Sequence, residues 1–225
     1  MKKLLLIIAS VLLLTACSTQ AKVTDKDSET LAVTADINIY DKITSEKTWT
    51  YNVNNITEVV DRNEVLVKVL IEDVSDTAKY VSSTSTPETS MSAKVLDVYK
   101  WTINKEEIQI NYFGGLISIA SAIESVEKEA ADKFEWLDVT DKKNTFLEYE
   151  FDGDFSFETG KEYVLALNPT DSTGEIIVDN PEYYLVSADL YSVFVEEEAQ
   201  DSRSAGKSIN LKNVKTNIKS EIPLD

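Results

Sequence analysis

The sequence predicts a mainly β fold, a single antiparallel barrel or sandwich into which one amphipathic helix is inserted. Three features predict it. Many short stretches alternate apolar with polar residues, turn-forming residues separate them, and one segment places its apolar residues at helical spacing instead. No repeat at solenoid spacing interrupts that pattern.

The chain opens with Lys2 and Lys3, followed by eleven apolar or small residues, Leu4 to Leu14, and then reads Leu14-Thr15-Ala16-Cys17. A basic start, an apolar run too short to span a bilayer and small residues at its end make residues 1–16 a signal peptide. The run Leu14 to Cys17 resembles the lipobox of bacterial lipoproteins. That resemblance implies cleavage between Ala16 and Cys17, and a diacylglyceryl group on the Cys17 thiol. No other cofactor is expected, and the expected location is the extracytoplasmic face of the cell membrane. Two acyl chains, at about 0.8 kcal/mol per buried methylene, anchor stably where one would be marginal. Cys17 is the only cysteine, so no intramolecular disulfide can form, and the 209 residues that follow cleavage must hold together by core burial.

Residues 17–30 are small and charged and read as a flexible tether. Leu31, Val33, Ala35, Ile37 and Ile39 alternate as a strand, Asp41 to Thr48 reads as a loop, and Trp49, Tyr51 and Val53 as a second short strand. The clearest strand is Glu64 to Val74, with Val65, Val67, Val69 and Ile71 on one face and Lys68 on the other. Ser82 to Ser92, rich in Ser and Thr and containing Pro87, reads as an exposed loop. Ala93 to Trp101 is a strand that turns near Asn104 and Lys105 and returns through Ile108, Ile110 and Tyr112 to Gly114 and Gly115.

From Leu116 to Phe134 the period changes. Ile119, Ile123, Val126, Ala130 and Phe134 share one side with Glu124, Glu127, Lys128 and Asp132 opposite, which predicts the inserted helix. Phe146 to Phe151 and Phe155 to Phe157 flank Asp152-Gly153, a hairpin signal. Lys161 to Leu167 is a strand closed by Pro169 to Gly174, and Tyr183 to Val186 and Tyr191 to Val195 supply the last strands. The expected domain is therefore 31–198, followed by a polar C-terminal tail, 199–225, with at most a short helix near Leu211 to Ile218. Glycine is scarce, six residues in all, so tight turns must lean on Asn, Asp and Ser.

Loss of Lys2 and Lys3 takes the basic count from 22 to 20 against 40 acidic residues, and the formal charge from −18 to −20. Such a body repels nucleic acid, which is not expected as a partner, and is repelled by an anionic leaflet while its lipid holds it close. The chain contains no histidine, which removes the commonest general base, the commonest zinc ligand and every imidazole triad.

The strand Val65-Leu66-Val67-Lys68-Val69, a second strand ending Val98-Tyr99-Lys100, a third closing on Tyr112-Phe113-Gly114-Gly115, and Gly160-Lys161-Glu162-Tyr163-Val164-Leu165 resemble small lipoproteins of Gram-positive bacteria. Those proteins look like the five-stranded OB-type barrel of the amino-terminal domain of tissue inhibitors of metalloproteinases. The resemblance spans roughly 57–194 and implies an OB-like barrel. It departs at Trp101, where the pattern has glycine, so a different turn is expected there. It departs also at the N-terminus, because the inhibitors chelate zinc through a cysteine amine docked by disulfides, which this chain lacks.

Among candidate sites, Ser125-Val126-Glu127-Lys128 has the Ser-x-x-Lys spacing of penicillin-interacting enzymes without their companion motifs. Asp152, Asp154 and Glu158, and likewise Asp171 to Glu175, offer oxygens but not the glycine of a calcium loop. Gly114-Gly115 lacks the spacing of a phosphate loop, and Trp49, Trp101 and Trp136 are candidates to line a groove. The expectation is a non-enzymatic, lipid-anchored module that meets an envelope protein, a peptide or wall glycan. The alternatives are a carboxylate-dependent envelope enzyme and a metalloproteinase-type inhibitor.

Overall fold

The structure, a computed structural model, describes residues 37–45, 47–81, 86–125, 131–151, 155–171, 176–177, 181–186, 188–197 and 208–224. Cys17, Ala16 and residues 31–36 of the expected first strand lie outside the described residues.

At the centre is a closed five-stranded barrel. Strand β2 (Val65–Val74) pairs antiparallel with β4 (Pro87–Lys100) on one side and with β8 (Glu162–Thr170) on the other. Strand β4 pairs antiparallel with β5 (Glu107–Phe113) and with the short β3 (Lys79–Tyr80), β5 runs parallel to β9 (Tyr183–Val186), and β9 closes the ring antiparallel to β8. This is the OB-like barrel expected from the sequence. Alternation fills it: Val65, Val67, Val69 and Ile71 point inward to meet Met91, Ile108, Ile110, Leu165, Leu167 and Val186.

The outer face of β2 and β8 is covered as well. Leu66, Val164 and Ala166 pack under α1 (Ile56–Arg62), which has no counterpart in the sequence reading, and against Phe194, Ile209, Leu211 and Ile222. Burial on both faces explains the nearly unbroken apolar run of β2. Asn55 caps α1 by accepting from the Glu58 N–H, and Lys100 Nζ donates to the carbonyls of Val60, Asp61 and Asn63 at the other end.

A second, three-stranded sheet arises mostly from the segment between β5 and β8. That segment contains β6 (Gly115–Ser118), α2 (Ile119–Glu124), α3 (Val139–Asn144) and β7 (Thr145–Phe151). The sheet order is β1-β7-β6, with β1 (Asn38–Ser45) parallel and β6 antiparallel to β7. Its core is Ile117, Ile119, Ala122, Leu137 and Leu147.

Several local expectations are corrected. Residues 41–45 belong to β1, recruited by pairing with a strand 107 residues away, which no local pattern announces. Trp49, Tyr51 and Val53 form no strand; their alternation packs a loop onto the core beneath α1. Pro87 to Ser92 is strand, not loop, because Thr89 faces inward and its hydroxyl donates to the Gly114 carbonyl. The helix expected from Leu116 to Phe134 begins at Ile119, since β6 pairs with β7 first, and ends at Glu124; Val126 to Ala130 lie outside the described residues, and Asp132–Phe134 is a 3-10 turn.

Phe155 to Phe157 do not return as a hairpin strand, because β7 takes its partners from β1 and β6, and the two phenylalanines join the barrel core instead. Pro169 and Thr170 extend β8, and Tyr191 sits in a 3-10 turn, Asp189–Ser192, before β10 (Val193–Glu197). The expected helix near Leu211 is instead β11 (Ser208–Asn213), which is followed by β12 (Lys219–Pro223). The stretch read as a polar tail therefore adds two strands beside β10, with Ile209, Leu211 and Ile222 turned into the core. Trp101 holds φ +80, a conformation that glycine adopts freely, so this turn keeps a glycine-like backbone without the glycine.

Candidate functional site

The two glycines after β5 set the site. Both have positive φ, +99 at Gly114 and +110 at Gly115, which turns the chain from β5 into β6. A Cβ on Gly115 would stand 2.1 Å from Thr89 Oγ1, the atom that donates to Gly114 O at 2.6 Å. The close approach of Thr89 therefore needs a residue without a side chain, and it stands the small sheet beside the barrel mouth.

A groove of about 510 Å³ separates the two bodies of structure. Along β7, Leu147 turns to the small core and Glu148 and Glu150 to the groove, while Tyr149 packs on the small core and also reaches the groove. Lys42, opposite Glu148 in the β1–β7 register, lies 3.9 Å from Glu148 and pairs closely with Glu150. The barrel side is aromatic: the ring of Phe157 sits 5.0 Å from Tyr112 and 5.2 Å from Phe155, both tilted or edge-on. Burial pushes the Tyr112 phenol above its ordinary value.

At one end Leu190 and Asp189 complete the lining. Asp189 is buried, with φ +44, and Lys47 Nζ lies 3.2 Å from each of its carboxylate oxygens. The same ammonium sits 3.4 Å from the centroid of Phe113. One wall of the groove thus offers flat apolar rings, and the other offers charged acceptors and a donor. A ligand with an apolar face and a polar edge fits both.

The candidates singled out in the sequence do not converge here. Trp49 packs beneath α1, Trp101 against the barrel core, and Trp136 is 66% exposed on the small sheet's helical side. Ser125 caps the end of α2, and its partners Val126, Glu127 and Lys128 lie outside the described residues. Glu158 is spent on a surface pair with Lys161; Asp152, Asp154 and 172–175 lie outside the described residues. Among the described residues no cluster of acidic side chains is arranged to hold a metal ion. Sequence reasoning missed Lys42, Glu148 and Glu150 because their meeting depends on a parallel pairing of distant strands; the aromatic run Phe151-x-x-x-Phe155-x-Phe157 was the one visible signal.

Comparison of the chain with protein-family models, curated proteins and solved structures returns no match.

Proposed function

We propose that the chain is a lipid-anchored binding module of the bacterial cell envelope, non-enzymatic, held at the outer face of the cell membrane through Cys17. Its ligand, a wall peptide, a glycan or a segment of another envelope protein, lies in the groove between the small sheet and the barrel. The observation that carries the binding reading is the groove's two unlike walls, Tyr112, Phe155 and Phe157 facing Glu148, Glu150 and Lys42. The anchor rests on the Leu14-to-Cys17 motif, and the absence of histidine in the sequence supports recognition over catalysis.

The test is photo-crosslinking in intact cells. A photoreactive residue at exposed Ser156, on the groove, is expected to capture an adduct that one at exposed Thr159 does not. A Leu190→Glu change should abolish the capture while leaving the circular dichroism spectrum intact. Equal capture from both positions, or capture indifferent to Leu190→Glu, contradicts the groove as the binding site.

A carboxylate-dependent enzyme is the second reading, favoured only by Glu148 and Glu150 sharing the groove. Lys42 neutralises that pair as a structural ion pair would. Under this reading Glu150→Gln would leave capture intact and stop turnover of the captured glycan. The inhibitor reading lacks the disulfides that would dock an N-terminal amine.

A further inference from the structure

The small sheet has a second face, and it carries a different surface. Tyr40, 50% exposed, is the bulged residue between Ile39 and Asp41 in the pairing of β1 with β7. Its ring lies 5.5 Å from Phe134 and 6.1 Å from Trp136, which is 66% exposed. Tyr40 and Phe134 border a shallow groove of about 340 Å³ that also touches Leu147 and Tyr149 of β7. Ile37 and Ile39, both more than two-fifths exposed, flank Tyr40 at the start of the strand.

The position of this surface in the chain indicates what covers it. Ile37, in this patch, is the described residue nearest in sequence to Cys17, which lies twenty residues before it. Twenty residues reach at most about 70 Å even when fully extended. A lipid on Cys17 therefore limits Ile37 to about 70 Å from the bilayer, a tighter limit than the tether sets for parts of the domain further along the chain. Tyrosine and tryptophan are the side chains that the headgroup boundary favours, since each joins an apolar ring to a polar edge. Asp41 and Lys133 line the groove, and Asp132 and Glu135 are exposed beside its rings, so the seat rests on the aromatic side chains and not on charge attraction.

We propose that the Tyr40–Trp136 surface seats in the headgroup region of the bilayer that carries the Cys17 lipid, which leaves the Glu148–Glu150 face of the same sheet turned away from the membrane. The inference rests on the anchor reading above. It adds an orientation: one face of a three-stranded sheet meets lipid and the other presents the groove to the wall.

The test uses the protein purified with its native lipid and reconstituted into vesicles of phosphatidylglycerol and phosphatidylcholine. Subtracting the emission of a Trp136→Phe variant from that of the wild type isolates Trp136 from the other two tryptophans. In vesicles the Trp136 emission should shift to the blue, lose most of its quenching by acrylamide and gain quenching by brominated phosphatidylcholine, and Tyr40→Ser should reverse part of each change. Trp136 as open to acrylamide in vesicles as in the unanchored Cys17→Ala protein overturns the proposal. Equal shielding in the unanchored protein, with a dimer in sedimentation, assigns the surface to a second copy and also overturns it. Mass spectrometry of the same preparation separates the two failures: a protein without acyl chains rejects the anchor and the seat together, whereas an acylated protein with exposed Trp136 rejects the seat alone.

Discussion

Lys47 Nζ stands 3.2 Å from both carboxylate oxygens of Asp189 and so joins the loop after β1 to the turn before β10 at one end of the groove. The carboxylate side chain is 5% exposed and the lysine 23%, so the pair is largely withdrawn from water. Removing one member of a buried pair leaves the other charge without its counterion. Lys47→Met is therefore expected to destabilise the fold by about 2–3 kcal/mol, less than a fully buried pair because the lysine keeps some solvent. Adding Asp189→Asn, which tolerates the positive φ, should restore much of that loss. Urea unfolding of the single and double variants measures both; a double variant no more stable than Lys47→Met contradicts the electrostatic account.

Gly115→Ala tests the hinge between barrel and small sheet. The added methyl meets Thr89 Oγ1 and stands on a backbone at φ +110, so a loss of about 3 kcal/mol or more is expected. Gly160→Ala shares the positive φ, but nothing lies within 4 Å of its Cβ, and it should cost about 1–2 kcal/mol. Thermal unfolding of the two variants side by side gives the comparison, and equal losses would remove the steric role assigned to Thr89.

Trp101 carries two opposed contributions, ring packing on the barrel core and strain at φ +80. Substitution by Gly or Ala removes the ring in both cases, but only glycine relieves the backbone. Trp101→Gly should be more stable than Trp101→Ala by about 1 kcal/mol, the reverse of the order found in ordinary strand positions. Denaturant midpoints decide it, and an alanine variant at least as stable would show that the backbone relaxes elsewhere.

Alkaline stability follows from the tyrosines. Burial raises the phenols of Tyr51, Tyr80, Tyr112, Tyr183 and Tyr184, and burial together with the Glu196 charge pushes Tyr99 up to about 12. A group whose folded value exceeds its unfolded value of 10.0 binds its proton more tightly in the fold. Its stabilisation is complete below pH 10 and is lost as the pH climbs through the folded value. Ionisation of these buried phenols, followed by tyrosinate absorbance, should therefore coincide with loss of circular dichroism above pH 10. A fold that keeps its circular dichroism while they ionise contradicts this.

The barrel is legible wherever a strand's own alternation matches its burial. Val65 to Ile71 and Tyr163 to Leu167 send alternate residues into the barrel core and Leu66, Val164 and Ala166 into the core outside it, so an apolar run reports a strand buried on both faces. Pairing partners leave no such trace. Asn38 to Ser45 reads half as loop because an edge strand with polar residues needs only a neighbour, and that neighbour is supplied by Thr145 to Phe151. The C-terminal hairpin hides for a related reason. Asn213 is polar in the sequence, yet its amide donates to the carbonyls of Leu190, Tyr191 and Val193, and its oxygen accepts from the Lys215 and Thr216 N–H groups. A buried asparagine with its hydrogen bonds met looks, from sequence, like one in a tail. The groove was the least legible feature, since its walls come from β1, β5, β7 and the turn at Asp189, which only the folded topology brings together.

The proposed lipid leash outside the cell is tested most directly by the mature N-terminus. Protein extracted from the membranes of its own host, digested and analysed by mass spectrometry, should yield an N-terminal peptide beginning at Cys17 whose mass includes a diacylglyceryl group. The same peptide should be missing from cells that express Cys17→Ala. A mature chain that starts at any other residue, or a Cys17 thiol found unmodified, would contradict the account.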